Sequence, residues 1–122
     1  MLRARMTDFD AHHFVLNLAN GSLDLHENLE TSGRFTLLPA RRSLLITSIA
    51  DVEYRPDADC PNFLKFLDRI VPARELQVFL QSWFGYCLTG DMREQKIVIA
   101  LGSGANGKST LFDLIKIGRA HV

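Results

Sequence analysis

The sequence predicts a mixed α/β fold, and three patterns carry that prediction. Alternating apolar residues around a turn dipeptide indicate a β-hairpin, and two stretches with apolar residues three and four apart indicate helices. A short apolar run before a glycine-rich loop indicates a strand followed by a helix. Because the chain has only 122 residues, we expect the sheet that this last strand would join to be incomplete.

The composition is that of a folded protein. The chain is 47% hydrophobic and 23% charged, well away from the composition of disordered chains. Its formal net charge is zero, which neither supports nor excludes binding to DNA. No apolar run approaches the roughly 20 residues of a membrane span, so we expect a cytoplasmic protein without a membrane partner. Cys60 and Cys87 lie in apolar helical patterns without metal-ligand spacing, and we expect reduced thiols in a core.

The first element is a hairpin centred on Asn20-Gly21, a dipeptide that tolerates the positive φ angles of a tight turn. The alternating apolar residues on its two sides are Phe14, Leu16, Leu18, Leu23 and Leu25. Residues 44–54 are rich in apolar and β-branched side chains and stop before Pro56. They predict a further strand.

Two groups near these strands have alternative interpretations. A metal site at His12, His13 and His26 is conceivable, but without a Cys or carboxylate cluster we interpret them as surface residues. Arg41-Arg42 could contact a phosphate, and we favour a solvated pair.

Two helices are expected next. The first opens at Cys60-Pro61-Asn62 and ends at Pro72, and its apolar face consists of Phe63, Phe66, Leu67 and Ile70. The second closes at Thr89-Gly90-Asp91, and its expected face consists of Leu76, Phe79, Leu80, Trp83 and Cys87, with Gln77, Gln81 and Ser82 elsewhere. We interpret the aromatic residues as a packed helical pair and not as a base-stacking platform.

Residues 97–101 (IVIAL) form a continuous apolar run typical of a strand buried on both faces of a parallel sheet. The loop that follows matches the Walker A pattern G-x-x-x-x-G-K-[ST] and consists of Gly102, Ser103, Gly104, Ala105, Asn106, Gly107, Lys108, Ser109 and Thr110. An apolar helical pattern follows from Thr110. This order of strand, loop and helix favours a phosphate-binding loop over a chance match in a glycine-rich turn.

Each part of the loop has a chemical task. Glycines let backbone amides curl around the phosphates of ATP, Lys108 would reach the β and γ phosphates, and the Ser109 hydroxyl would coordinate Mg2+. Hydrolysis also needs an acidic residue on a neighbouring strand, a group that orients water and often an arginine. After Lys108 the only acid is Asp113. We therefore expect no complete catalytic site and no ATP turnover by this chain alone.

Several segments together resemble the phage and plasmid primase family related to poxvirus primase-helicases. They are residues 16–25 (LNLANGSLDL), 60–63 (CPNF), 85–91 (GYCLTGD), 94–96 (EQK) and 104–110 (GANGKST). The resemblance extends to about Ile115. It implies the front end of a superfamily 3 helicase domain, whose complete parent would form a hexameric ring that hydrolyses ATP and moves along DNA.

The resemblance also implies a division of the chain. Residues 1–91 would precede the helicase domain, and residues 92–116 would begin it. Residues 117–122 (IGRAHV) are typical of translated sequencing-adapter DNA, so we expect them not to be native. If the parent is encoded by a phage, its compartment would be the host cytoplasm.

Two other functions stay open. A nucleotide-binding or ring-assembly module without catalysis would need no magnesium-binding acids. A small-molecule kinase can use the same loop, although the upstream segments argue against it. A core strand at residues 97–101 without neighbouring strands would be poorly supported, so we also expect marginal stability.

Overall fold

The computed structural model describes residues 4–26 and 35–119, and the fold is mixed α/β as predicted. A three-stranded antiparallel sheet comes first, in the order β1-β2-β3. Three helices follow it. The strands are β1 (Val15–Leu18), β2 (Gly21–Asp24) and β3 (Leu37–Leu38), and the helices are α1 (Pro61–Ile70), α2 (Arg74–Cys87) and α3 (Lys108–Arg119).

The predicted hairpin is confirmed by the pairing of β1 with β2. Leu18 lies opposite Gly21, so the two connecting residues are Ala19 and Asn20, one position earlier than the Asn-Gly pattern indicated. Leu18 and Leu23 are each only 5% exposed. The alternation therefore identified the apolar side of the sheet correctly.

Gly21, at the start of β2, lies close to the backbone of β3. Its φ is +151°, and a Cβ at this position would collide with the carbonyl oxygen of Leu38. The glycine thus permits the third strand to pair with the hairpin. β3 itself, with only two residues, was not predicted from the sequence.

The prediction of a strand at residues 44–54 is wrong for most of that segment. The segment starts in a short 3-10 turn (Arg42–Leu44). Only its middle approaches the sheet, where Ala50 N donates to Asn17 O at 2.9 Å and Ala19 N donates to Val52 O at 3.0 Å. Apolar content suggested a strand, but β1 offers an edge of only four residues for pairing.

Side chains hold the rest of this segment in place. Both carboxylate oxygens of Asp10 accept hydrogen bonds from Thr47, one from its backbone N–H at 2.7 Å and one from its hydroxyl. These bonds lower the pKa of Asp10, and the bond from the hydroxyl has the larger effect. Asn20 bonds both the carbonyl and the N–H of Tyr54, each at 2.9 Å. Hydrogen bonds from side chains therefore replace the expected strand pairing.

The apolar face predicted for α1 is confirmed. Phe63, Phe66, Leu67 and Ile70 are the residues of this helix that are partly withdrawn from solvent. Pro61 occupies the first turn, where its missing N–H costs nothing. The helix ends at Ile70, just before Pro72.

The face predicted for α2 is partly wrong. Leu80 is buried and Trp83 and Cys87 are half-buried, as expected, but Leu76 and Phe79 are 48% and 47% exposed. Gln77, placed on the outside by the sequence pattern, is only 6% exposed. Its amide Nε2 donates to Asp68 Oδ1 and Val71 O, both at 2.8 Å, and this pairing makes burial of a polar side chain tolerable.

Because Gln77 links the end of α1 to the start of α2, replacing it with alanine should lower the free energy of unfolding by about 1–3 kcal/mol. Its Oε1 also accepts from Arg74 Nη1 at 3.0 Å, so the change leaves several partners without their bonds. Urea denaturation measures the loss. Gln81→Ala is the matched control, since Gln81 is exposed on the same helix, and an equal loss in both variants would contradict the assignment.

The strand predicted at residues 97–101 is not formed. The segment has no strand pairing, and Ile97, Ile99 and Leu101 are 88%, 76% and 87% exposed. A strand buried on both faces requires neighbouring strands and covering helices. In the part of the chain that the structure describes, the sheet is the antiparallel β1-β2-β3 and does not reach this segment.

Several smaller expectations have mixed outcomes. Both cysteines are free thiols, but Cys60 is exposed, so its placement in a core was wrong. Within residues 4–26 and 35–119, no helix has the length and apolar character to cross a membrane. α3 continues to Arg119, and residues 120–122 of the expected non-native tail lie outside the described residues. The proposed division at residue 91 stays a prediction.

Candidate functional site

Residues 102–110, which match the Walker A pattern in sequence, form a curled loop that leads into α3. Gly104 and Gly107 both have φ of +82°, and Ala105 between them has φ of +45°. Three residues with left-handed backbone angles within four positions turn the chain sharply. Glycine adopts such angles without the steric penalty of a Cβ. Residues 102–106 are exposed, whereas Gly107 and Lys108 are half-buried. The loop thus has an open side and a supported end.

Lys108 lies at the first position of α3 and folds back over the loop. Its Nζ donates to Asn106 Oδ1 at 2.7 Å. A Cβ at Gly102 would collide with the Lys108 Nζ and with the Asn106 amide. The start and the end of the loop therefore come together around an ammonium group that lies close to the backbone of Gly102.

The helix after the loop is anchored in the protein. Leu111 N donates to Gly107 O at 3.0 Å, and the Leu111 side chain is 3% exposed. The ring of Phe112 meets that of Phe84 on α2 edge to face, with centroids 6.2 Å apart. The predicted helix after the motif is confirmed, and its packing fixes the direction of its first turn.

The polar residues at the helix start remain accessible. Ser109 and Thr110 are exposed, so the Ser109 hydroxyl is free of packing that would prevent it from binding a metal. The residues present fit a Mg2+-bound triphosphate in three respects: a cation over the loop, a curled backbone between Gly104 and Gly107, and an exposed serine at the start of α3. Exposed Asp113 lies 4.0 Å from Lys116 Nζ, and that pair faces solvent.

A compact turn joins α2 to the segment before the loop. Asp91 accepts hydrogen bonds from both the side chain and the backbone of Arg93. These bonds lower the pKa of Asp91, and the bond from the side chain has the larger effect. Gly90 N donates to His13 O at 2.7 Å. The end of α2 is thereby tied to the residues that precede β1.

The other candidate groups are not assembled into sites. His12, His13 and His26 are exposed, and the ring of His26 packs on Phe14 with centroids 5.0 Å apart. Across the described ranges, no three His, Cys, Asp or Glu side chains are grouped to hold a metal ion. Arg41 and Arg42 are exposed at the 3-10 turn. Trp83 and Tyr86, both in α2, lie with centroids 6.0 Å apart, and both are half-buried.

One supporting feature was missed by sequence reasoning. Gly107 rests directly on the end of α1, close to Ile70 and Phe66. In the sequence these two residues form part of an ordinary apolar helix face, and no pattern links them to a loop almost forty residues later. Only the packing of α1 under the loop reveals the contact.

In the described residues, the architecture is an antiparallel sheet followed by three α-helices, with a glycine loop at the start of the last helix. Residues 1–72 match the family described as "D5 N terminal like". Since this match covers more than half of the chain, the chain belongs to that family. The glycine loop lies beyond the matched residues.

A viral protein provides a second comparison. The chain is 28% identical over 112 residues to a protein of Acanthamoeba polyphaga mimivirus named "Putative helicase". The alignment covers 91% of this chain but only 11% of that relative. The chain thus spans about a tenth of the relative's length. No solved structure matches the chain significantly.

Proposed function

We propose that residues 102–110 bind the phosphates of ATP together with Mg2+. The observation that carries this proposal is the position of the Lys108 ammonium, folded over a left-handed glycine loop at the first turn of α3. Positive charge, a curled backbone and a helix N-terminus all favour a polyphosphate. Gly102 to Thr110 are the residues that would surround it.

In this proposal two side chains have distinct roles. Lys108 gives up its hydrogen bond with Asn106 and binds the β and γ phosphates instead. The bond to Asn106 is exposed and contributes only about 1 kcal/mol. The Ser109 hydroxyl coordinates Mg2+, which neutralises charge between those phosphates. Thr110 follows on the same exposed turn of α3.

The chain would be one part of a longer helicase-related protein. Support comes from its family and from the name of the mimiviral relative, of which it covers 11%. We assign DNA unwinding, a hexameric ring and a place in the host cytoplasm to that longer protein. The superfamily 3 and poxvirus-type relationships, including a primase-helicase parent in phage or plasmid replication, rest on the sequence resemblance.

For the chain alone, nucleotide binding without catalysis is the second candidate function. The acid nearest in sequence to the loop is Asp113, which faces solvent beside Lys116. Residues 97–101, which would adjoin a second acidic strand in a complete sheet, are unpaired. Neither feature supplies an acid at the loop, so hydrolysis would depend on groups supplied elsewhere.

Calorimetric titration of the chain with ATP, ADP and AMP tests this function. We expect ATP with Mg2+ to bind best and AMP worst, with each lost phosphate weakening binding by roughly tenfold. Removing Mg2+ with EDTA should weaken ATP binding, and phosphate release should stay at background. Equal affinity for ATP and AMP would show that the phosphates are not what the loop recognises, and no binding at all would reject the proposal.

A further inference from the structure

The supported end of the loop lies on α1. A Cβ at Gly107 would be 2.7 Å from Ile70 Cγ2 and 3.3 Å from Phe66 Cε2. Such distances leave room for a bare backbone and for nothing more. The last turn of α1, which belongs to the matched family region (residues 1–72), therefore forms the floor under the second left-handed glycine of the loop.

The same glycine is also bonded into the start of α3. The Gly107 carbonyl accepts from Leu111 N at 3.0 Å, and α3 is fixed to α2 through the rings of Phe112 and Phe84. Gly104, by contrast, has no atom of the described residues, apart from its chain neighbours, within 4 Å of where its Cβ would be. Gly107 thus packs against α1 and joins the first turn of α3, whereas Gly104 lies on the open side of the loop.

We propose that Ile70 is a positioning residue for nucleotide binding, acting through its Cγ2 methyl on Gly107. The proposal rests on the nucleotide-binding function above. Gly107 directly precedes Lys108, so the backbone angles at Gly107 set where α3 begins and where the ammonium group is directed. A loop that is already held in its curled form loses less conformational entropy on binding, which increases affinity.

Two substitutions at Ile70 separate this role from simple packing. Ile70→Val keeps both branches at Cβ, including Cγ2, and removes only the terminal methyl. Ile70→Leu keeps the volume but lacks the branch that contacts Gly107. On grounds of volume alone, the valine variant should be the more affected, because it leaves a cavity. If the Cγ2 contact positions the loop, the leucine variant should instead lose more nucleotide affinity than the valine variant.

The experiment is a titration of ATP with Mg2+ into the wild type and both variants, with the melting temperature of each recorded without nucleotide. We expect Ile70→Leu to weaken binding by about five- to tenfold and Ile70→Val to stay within about twofold of wild type. Leu64→Val, at a residue of α1 that is 49% exposed, is the control and should bind as wild type does. Equal affinities for the two Ile70 variants would overturn the positioning role.

Amide hydrogen exchange without nucleotide distinguishes failure of this inference from failure of the proposed function. Ile70→Leu should speed exchange at Leu111, whose amide bonds Gly107, and Ile70→Val should not. If the two variants differ in exchange at Leu111 but the wild type binds no ATP, the proposed nucleotide binding is rejected, while the support of the loop by Ile70 stands. If Ile70→Leu does not fold, Phe66→Leu removes the neighbouring contact and should weaken ATP binding by a similar factor, and an unchanged affinity there would overturn the inference.

Discussion

Replacing Lys108 with alanine is expected to weaken ATP binding by about 10- to 100-fold. A hydrogen bond to a charged group contributes about 1.5–3 kcal/mol, and Lys108 would make such bonds with the phosphates. Without nucleotide, the ammonium group bonds only Asn106 in the part of the chain that the structure describes. The melting temperature should therefore change little, while calorimetric titration with ATP shows the loss.

Lys116→Ala is the matched control for charge. Lys116 lies on the same helix, its side chain is 78% exposed, and it is close to Asp113. The variant has the same change in net charge as Lys108→Ala, but it should bind ATP within about twofold of wild type, because exposed charges are screened by salt. If both variants lost affinity equally, ATP would be attracted by the general charge of α3 and not by the loop.

Replacing Gly21 with alanine is expected to lower the free energy of unfolding by about 2–6 kcal/mol. The new Cβ would meet the Leu38 carbonyl oxygen, and its φ of +151° is one that residues with a side chain rarely adopt. Backbone strain and a forced contact each contribute about 1–3 kcal/mol. Urea denaturation followed by circular dichroism gives the loss directly.

The same substitution at Gly85 is the control. Gly85 lies inside α2, and a Cβ there would have nothing within 4 Å. Because alanine favours the helix over glycine by about 1 kcal/mol, Gly85→Ala should stabilise the protein slightly. A Gly21→Ala variant as stable as the wild type would mean that β3 does not pair closely with the hairpin in solution.

Elements with a strong local signal were predicted well. The hairpin needs only alternation and a turn, and α1 needs only its apolar period and the prolines at its two ends, so both were found within one or two residues. Elements that depend on partners were predicted poorly. Residues 44–54 and 97–101 are apolar enough for strands, but in the described structure the first has only a short edge to join and the second has none.

The candidate site shows the same division. The glycine pattern located the loop, because glycines permit the positive φ angles of a sharp turn, and the apolar period located the helix after it. The surroundings of the loop were not predictable. Burial of Gln77 depends on Asp68 and Val71, and the support of Gly107 depends on α1, so both require the packing of the helices to be known.

The sequence by itself determined the mixed α/β class, the hairpin, the extents of α1 and α2, and the glycine loop before α3. These features follow from periodicity and from backbone preferences over a few neighbouring residues. Only the tertiary structure decided that residues 97–101 stay unpaired, that Gln77 is buried in place of Leu76 and Phe79, and that Ile70 lies under Gly107. Such contacts join residues far apart in the chain, and their free energy depends on which surfaces meet and not on local pattern.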